Sequence, residues 1–181
     1  MTIEATSFKG LFVIQPKVFG DHRGYFFESY KESELEKALG RKPEFIQDNE
    51  SLSGKDVLRG LHFQKPPYAQ SKLVRVVTGS VLDVVVDLRK DEPTYGKHFA
   101  IELTADNKKQ LFVPKGFAHG FLTLEDNTRF CYKCEGEYAP QAEDSLLWND
   151  KTLNINWPSE AALISEKDAK ANTFSNFISP F

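Results

Sequence analysis

Cysteine is scarce in this chain: Cys131 and Cys134 are the only two among 181 residues. Two thiols cannot supply a disulfide framework. Stability has to come from a buried apolar core, and a chain of this length is long enough to build one. Long apolar runs are missing as well. None approaches the roughly 18 residues of a membrane span, and the start M-T-I-E-A-T-S-F-K-G has no apolar stretch of the kind a secretory signal carries. Nor is there an excess of positive charge. Lys and Arg number 23 against 26 Asp and Glu, for a formal net charge of -3 and a pI of 5.8. That balance argues against a general nucleic-acid binder, whose affinity rests on a concentrated basic face, though a discrete anion site remains open. No repeat, low-complexity tract or linker divides the sequence. These absences predict one cytoplasmic domain over residues 1–181, with neither a membrane nor a nucleic-acid partner.

What is present is mostly β pattern. Phe8 to Val13 reads as a first strand broken by Pro16, and Tyr25-Phe26-Phe27 as another after the turn G-D-H-R-G. Ser33 to Leu39 is the clearest helix, with Ser33 as cap, Glu36 as capping-box partner and Gly40 as terminator. From Phe45 onward, strand-like runs are separated by Gly, Pro, Asn and Asp for nearly a hundred residues. L-V-R-V-V, T-G-S and V-L-D-V-V-V-D-L predict a hairpin turning at Gly79. In its second arm Leu82, Val84, Val86 and Leu88 share the core face, and Asp83 and Asp87 share the other with Val81 and Val85. Further strands are expected at Phe99–Leu103, Gln110–Val113, Phe117–Leu124 and Thr128–Cys134. Many short strands and 15 phenylalanines point to an all-β sandwich or barrel. The last forty residues, with Trp148, Trp157-Pro158 and a short helix from Glu166, are expected to wrap over it.

Polar residues interrupt this pattern at a few places. V-L-R-G-L-H-F-Q, Val57 to Gln64, sets Arg59 and His62 in an apolar strand. A histidine titrates near neutral pH and an arginine offers a fixed fork to phosphate or carboxylate, so the pair points to proton transfer beside an anion. A lone histidine in an apolar run is more often a hydrogen-bonded core residue, and these eight residues do not separate the two readings. His119 lies on one strand face with Phe117 and Phe121, where burial explains it equally well. Two histidines raise the question of a metal. The partner position after His62 is Gln64, which breaks the H-x-H ligand pair of metal-binding cupins and argues against one. C-Y-K-C has no second cysteine pair, and on a strand its two thiols point apart, as packing residues do. Tyr132 between them shares a face with Phe130 and Cys134, where a phenol could face a cavity or bond the backbone. Ser165 and Asp168 form a capping-box pattern. A role for Asp168 beyond that needs it to meet His62 across the fold and fix the imidazole tautomer.

These stretches also occur together. D-H-R-G-Y-F-F-E at Asp21 to Glu28, Q-D-N at Gln47 to Asn49, V-L-R-G-L-H-F-Q, K-L-V-R-V at Lys72 to Val76, D-V-V-V-D-L-R at Asp83 to Arg89, P-K-G-F-A-H-G-F at Pro114 to Phe121, Y-K-C followed by Tyr138-Ala139-Pro140, W-N-D at Trp148 to Asp150 and S-E-K-D at Ser165 to Asp168 follow one another along nearly the whole chain. As a set they resemble the dTDP-4-dehydrorhamnose 3,5-epimerase family of cofactor-independent sugar-nucleotide epimerases. The resemblance implies a cupin-type jelly roll with short peripheral helices, a homodimer, no cofactor and no metal, and a dTDP-sugar as partner. The implied reaction turns dTDP-4-dehydro-6-deoxy-D-glucose into dTDP-4-dehydro-L-rhamnose. It also implies His62 as base oriented by Asp168, Tyr132 as acid on the other face of the sugar, and Lys72 on the 4-keto oxygen. Arg23, Arg59 and Gln47, Asp48 and Asn49 would hold the nucleotide and diphosphate, Tyr138 would stack on thymine, and Phe26, Glu28, His119, Glu143 and Lys167 would line the substrate site.

Arg59 and His62 have opposite strand parity, yet this assignment uses both. A bulge at Gly60 is expected to reconcile them. Glu50, His98 and the tail N-T-F-S-N-F-I-S-P-F depart from the family pattern without removing a proposed catalytic group. Competing readings are a C3-only epimerase or one for another dTDP-4-keto sugar on the same scaffold, and a non-catalytic sugar-nucleotide-binding jelly roll, which would need an anion site but no base, acid and orienting aspartate.

Overall fold

A computed structural model describes residues 1–159 and 161–181. Two antiparallel sheets face each other in an all-β jelly roll. One has six strands: β1 (Thr2–Ala5), β2 (Phe12–Gln15), β10 (Gln110–Val113), β7 (Ser71–Thr78), β12 (Thr128–Glu135) and β5 (Phe45–Ser53), in that spatial order. The other has five: β13 (Glu143–Ser145), β6 (Leu58–Gln64), β11 (Phe117–Thr123), β8 (Ser80–Asp87) and β9 (His98–Thr104). A separate ribbon is formed by β3 (Val18–Asp21) and β4 (Gly24–Phe27). The α-helices among the described residues are short, α1 (Glu32–Leu39) and α2 (Glu166–Ala169).

Alternation along the strands creates three apolar layers. Val74, Val76, Leu111 and Phe130 from the first sheet meet Val81, Val85, Phe117 and Phe121 from the second between the sheets. Leu58, Phe63, Val84, Val86, Leu88 and Leu122 face outward from the five-stranded sheet, where Leu153, Trp157, Phe174, Phe177 and Phe181 of the C-terminal segment cover them. Helix α1 covers Ile14, Leu73 and Phe112 on the outside of the other sheet through Leu35. Each fully buried side chain of this kind contributes about 2 kcal/mol. The expected wrap of the last forty residues is thus the outer wall of a second core.

Three local expectations change. Phe8 and Leu11 are buried, but in the tight loop joining β1 to β2, where Leu11 N–H bonds Phe8 O at 3.0 Å; they plug the interior rather than extend a strand. Helix α1 begins at Glu32 after Lys31, with no side-chain cap, so Ser33 lies inside the first turn. Glu32 and Glu34 in that turn supply the negative charge that a helix N-terminus favours, and Gly40 ends the helix as expected. The predicted hairpin at Gly79 is a corner between sheets: β7 lies in one and β8 in the other. Gly79 alone separates them, one residue short of the commonest hairpin loop. Its φ is +79°, and a Cβ there would lie 2.3 Å from Thr128 Oγ1. The Asp83 and Asp87 face of β8 consequently points between the sheets, so both faces of this strand are buried.

The bulge expected at Gly60 is present. His62 pairs with His119 and Arg59 with Phe121, so three steps on β6 match two on β11. Gly60 has φ +138°, and a Cβ on it would meet Gly120 Cα at 2.5 Å and His119 O at 3.0 Å. Because both the backbone angle and the space exclude a side chain, Gly60→Ala is expected to destabilise the protein by about 3 kcal/mol, or roughly 6–12 °C in Tm. A thermal melt within about 2 °C of wild type would show that the two strands yield more easily than this packing implies.

Candidate active site

The bulge turns Arg59 and His62 toward the same space between the sheets. That space is a cleft of about 500 Å³ that continues into a narrower lobe of about 130 Å³, and His62, Lys72, His119 and Tyr132 line both. Strand alternation delivers each from a different element: His62 from β6, Lys72 from β7, His119 from β11 and Tyr132 from β12.

His62 Nε2 lies 2.6 Å from Asp168 Oδ1, a contact between residues 106 apart in sequence. Asp168 is on α2, whose N-cap is Ser165; the Ser165 hydroxyl accepts the Asp168 N–H at 3.1 Å. The capping-box pattern is therefore half used. Its serine caps the helix, and its acid reaches across to the histidine. The Asp168 side chain is only 4% exposed. Burial by itself raises its pKa, but the hydrogen bond and charge of His62, with help from Ser165 and the Gly60 backbone, hold it below the usual aspartate value. His119 donates Nε2–H to both oxygens of the buried Asp83, at 3.0 and 2.9 Å.

Each of the four shared side chains then leaves one polar atom open. His62 Nδ1, His119 Nδ1, Lys72 Nζ and Tyr132 Oη have no hydrogen-bond partner among the described residues, and none of them is sealed from solvent. Ser51 Oγ, in the lining of the same cleft, is buried and unbonded among the described residues; interior polar groups are nearly always bonded, so this hydroxyl beside the four open atoms marks where a ligand belongs. Burial pushes the Lys72 ammonium below the usual lysine value, opposed by the negative character of Cys134, Asp83 and Glu143. Burial likewise pushes the Tyr132 phenol up, which keeps it protonated at neutral pH. Lys72 Nζ sits 5.8 Å from the centre of the Tyr132 ring. A base candidate, a cation and a proton donor thus surround one volume, an arrangement suited to removing a proton next to a carbonyl and returning one elsewhere.

The remaining residues singled out by sequence divide into two groups. Arg59 and Lys167 line the larger lobe, and Gln47, Asn49, Tyr138 and Glu143 line the narrower one. Arg59 binds Ser53 Oγ through Nε and Nη2. Lys167 pairs with Glu143 at 2.5 Å, and that contact raises the lysine's pKa. Asp48 lies on the other face of β5, paired with Lys133 at 2.6 Å, as alternation within Gln47-Asp48-Asn49 requires. Arg23 pairs with Asp21 on the ribbon, where Phe26 is 65% exposed, and Glu28 pairs with Lys31 just beyond it. None of these four lines the cleft of its own chain. Gln64 is held by backbone: its amide donates to Tyr68 O and Glu137 O, and its carbonyl accepts Ala139 N–H. Of the two thiols, Cys131 faces Glu50 outside and Cys134 lines the narrow lobe.

Sequence reasoning did not assign a site role to Asp83, to Ser51, or to the apolar walls of Phe121, Phe130 and Leu163. For the first two a signal existed. Asp83 belongs to the carboxylate face of β8, and Ser51 continues the parity of Gln47 and Asn49.

The family model described as dTDP-4-dehydrorhamnose 3,5-epimerase matches residues 5–176. The dTDP-4-dehydrorhamnose 3,5-epimerase of Shigella flexneri is 50% identical over 174 residues, 96% of each chain. The crystal structure of dTDP-6-deoxy-D-glucose-3,5-epimerase from Legionella pneumophila, in complex with dTDP-4-keto-L-rhamnose, is 43% identical and superimposes with a TM-score of 0.93, covering 98% of this chain and 94% of that one. A 3'-monoepimerase, ChmJ from Streptomyces bikiniensis, in complex with dTDP-quinovose, is 32% identical with a TM-score of 0.90, over 94% and 86% of the two chains. With the family model spanning nearly the whole length and half of the residues shared with a relative of equal extent, the chain belongs to the dTDP-4-dehydrorhamnose 3,5-epimerase family, an enzyme family of epimerases.

Proposed function

We propose that this chain, as a single jelly-roll domain working in a cytoplasmic homodimer, inverts C3 and C5 of dTDP-4-dehydro-6-deoxy-D-glucose to give dTDP-4-dehydro-L-rhamnose. The observation that carries the reading is the convergence of His62 Nδ1, Lys72 Nζ and Tyr132 Oη on one cleft, with Asp168 behind the histidine. Both carbons flank the 4-keto group, so either carbanion is delocalised onto the same oxygen. In the D-gluco chair the hydrogens at C3 and C5 are axial on one face, and a single base on that face reaches both. His62 is that base. Asp168 fixes its tautomer and stabilises its protonated form. Lys72 meets the keto oxygen as it becomes an enolate, in a site dry enough for the charge to count. Tyr132, held protonated by burial, delivers a proton to the opposite face.

While Glu143 and Lys167 line the substrate site, the nucleotide end falls to Arg59, Gln47, Asn49 and Tyr138. Anchoring the diphosphate there keeps the sugar in place through two proton exchanges. Arg23, Phe26 and Glu28 reach a cleft only if a second copy supplies them. The ribbon that carries Arg23 and Phe26, and that Glu28 follows, pairs with neither large sheet, and it leaves Phe19, Tyr25 and Phe26 52%, 61% and 65% exposed. An exposed apolar ribbon of this kind marks a contact surface.

Similarity to a 3'-monoepimerase supports a second reading, inversion at C3 alone. Incubation with dTDP-4-dehydro-6-deoxy-D-glucose in heavy water, followed by NMR, separates the two. Deuterium at both carbons with formation of the L-sugar is expected. Deuterium at C3 alone would select the narrower reaction, and binding with no exchange would leave a binding module.

A further inference from the structure

Asp83 is a fully buried carboxylate for which the reaction above has no use. Burying a charge is costly unless it is bonded, and apolar neighbours such as Val81 and Val85 on the same face show what the position would otherwise hold. Its hydrogen-bond partner is His119, whose Nε2 sits 3.0 and 2.9 Å from the two carboxylate oxygens. The arrangement repeats that of the base. His62 and His119 stand directly opposite each other on β6 and β11. Each gives Nε2 to an acid that is at most 4% exposed, and each leaves Nδ1 open toward the cleft.

A carboxylate only accepts hydrogen bonds, so Asp83 places the proton on Nε2 and leaves Nδ1 of the neutral ring as an acceptor. His119 borders both lobes together with Lys72. Of the two carbons beside the keto group, C3 bears a hydroxyl and C5 a methyl. Only the hydroxyl can donate to Nδ1. We propose that Asp83 is a positioning residue that holds His119 with Nδ1 toward the cleft as acceptor for the C3 hydroxyl, so that proton exchange at C3 depends on it more than exchange at C5. The inference rests on the epimerase reading above.

The test is Asp83→Asn in the full chain, compared with wild type by ¹⁵N NMR of the histidine rings and by heavy-water exchange at C3 and C5. Asparagine preserves the shape but no longer dictates the tautomer. A second His119 tautomer is expected, with C3 exchange slowed about tenfold or more, C5 exchange within about threefold of wild type, and dTDP affinity unchanged. Equal slowing at both carbons, no slowing, or an unaltered tautomer overturns the proposal. Should Asp83→Asn fail to fold, His119→Gln removes the ring acceptor from the cleft side. The same C3-selective loss is then expected, and equal loss overturns it. A wild-type protein that exchanges at neither carbon overturns the epimerase reading itself, and this inference with it.

Discussion

His62→Ala is expected to reduce epimerisation by about 10²- to 10⁴-fold, the usual contribution of a positioned base, while dTDP binding stays near wild type. The loss should appear equally at C3 and C5, because one base serves both, and deuterium wash-in should fall with turnover. The variant also strands Asp168, which is 4% exposed and keeps a lowered pKa chiefly against its own burial. A carboxyl with a depressed folded pKa stabilises the protein above its unfolded value of about 4 and loses that contribution as pH falls through the folded value. Once His62 is gone, the burial penalty remains unopposed by its main partner. The alanine variant is therefore expected to melt lower than wild type at neutral pH, and the gap should narrow in acid. Near-normal turnover would remove His62 as the base, and loss of dTDP binding would mean that the substitution had collapsed the cleft.

Tyr132→Phe should separate two events that His62→Ala abolishes together. If His62 takes the proton and Tyr132 returns one on the opposite face, removing the phenol leaves abstraction intact. The base can still hand a solvent deuteron back to the face it came from. The phenylalanine variant is thus expected to exchange deuterium at C3 and C5 at rates close to wild type while forming L-sugar about 10²-fold or more slowly. Tyr132 is suited to that role because burial keeps its phenol protonated and no protein group among the described residues claims its oxygen. Loss of exchange together with inversion would show that the phenol takes part in abstraction. Full inversion would require another donor, and Lys72, 5.8 Å from the centre of the same ring, is a candidate.

Much of this fold was legible in the order of the residues. Period-two alternation with scarce cysteine specified an all-β fold with a large core, because each strand must bury one face and no cross-link could replace that burial. It also set which face His62, His119 and Tyr132 occupy, and, once the family resemblance assigns both Arg59 and His62 to the site, their opposite parity implies a bulge at Gly60. Alternation would equally have placed Asp48 outside, opposite in sense to Gln47 and Asn49. What alternation cannot give is the partner of each strand. The Gly79 turn was legible as a turn but not as a corner between sheets, because both outcomes begin with the same glycine and the same flanking strands. That the carboxylate face of β8 points inward and that Asp83 meets His119 follows from how the two sheets pack. Packing likewise brings Asp168 across 106 residues to His62, because a contact between a four-residue helix and a distant strand depends on how the C-terminal segment lies over the outer sheet, and no local pattern encodes that.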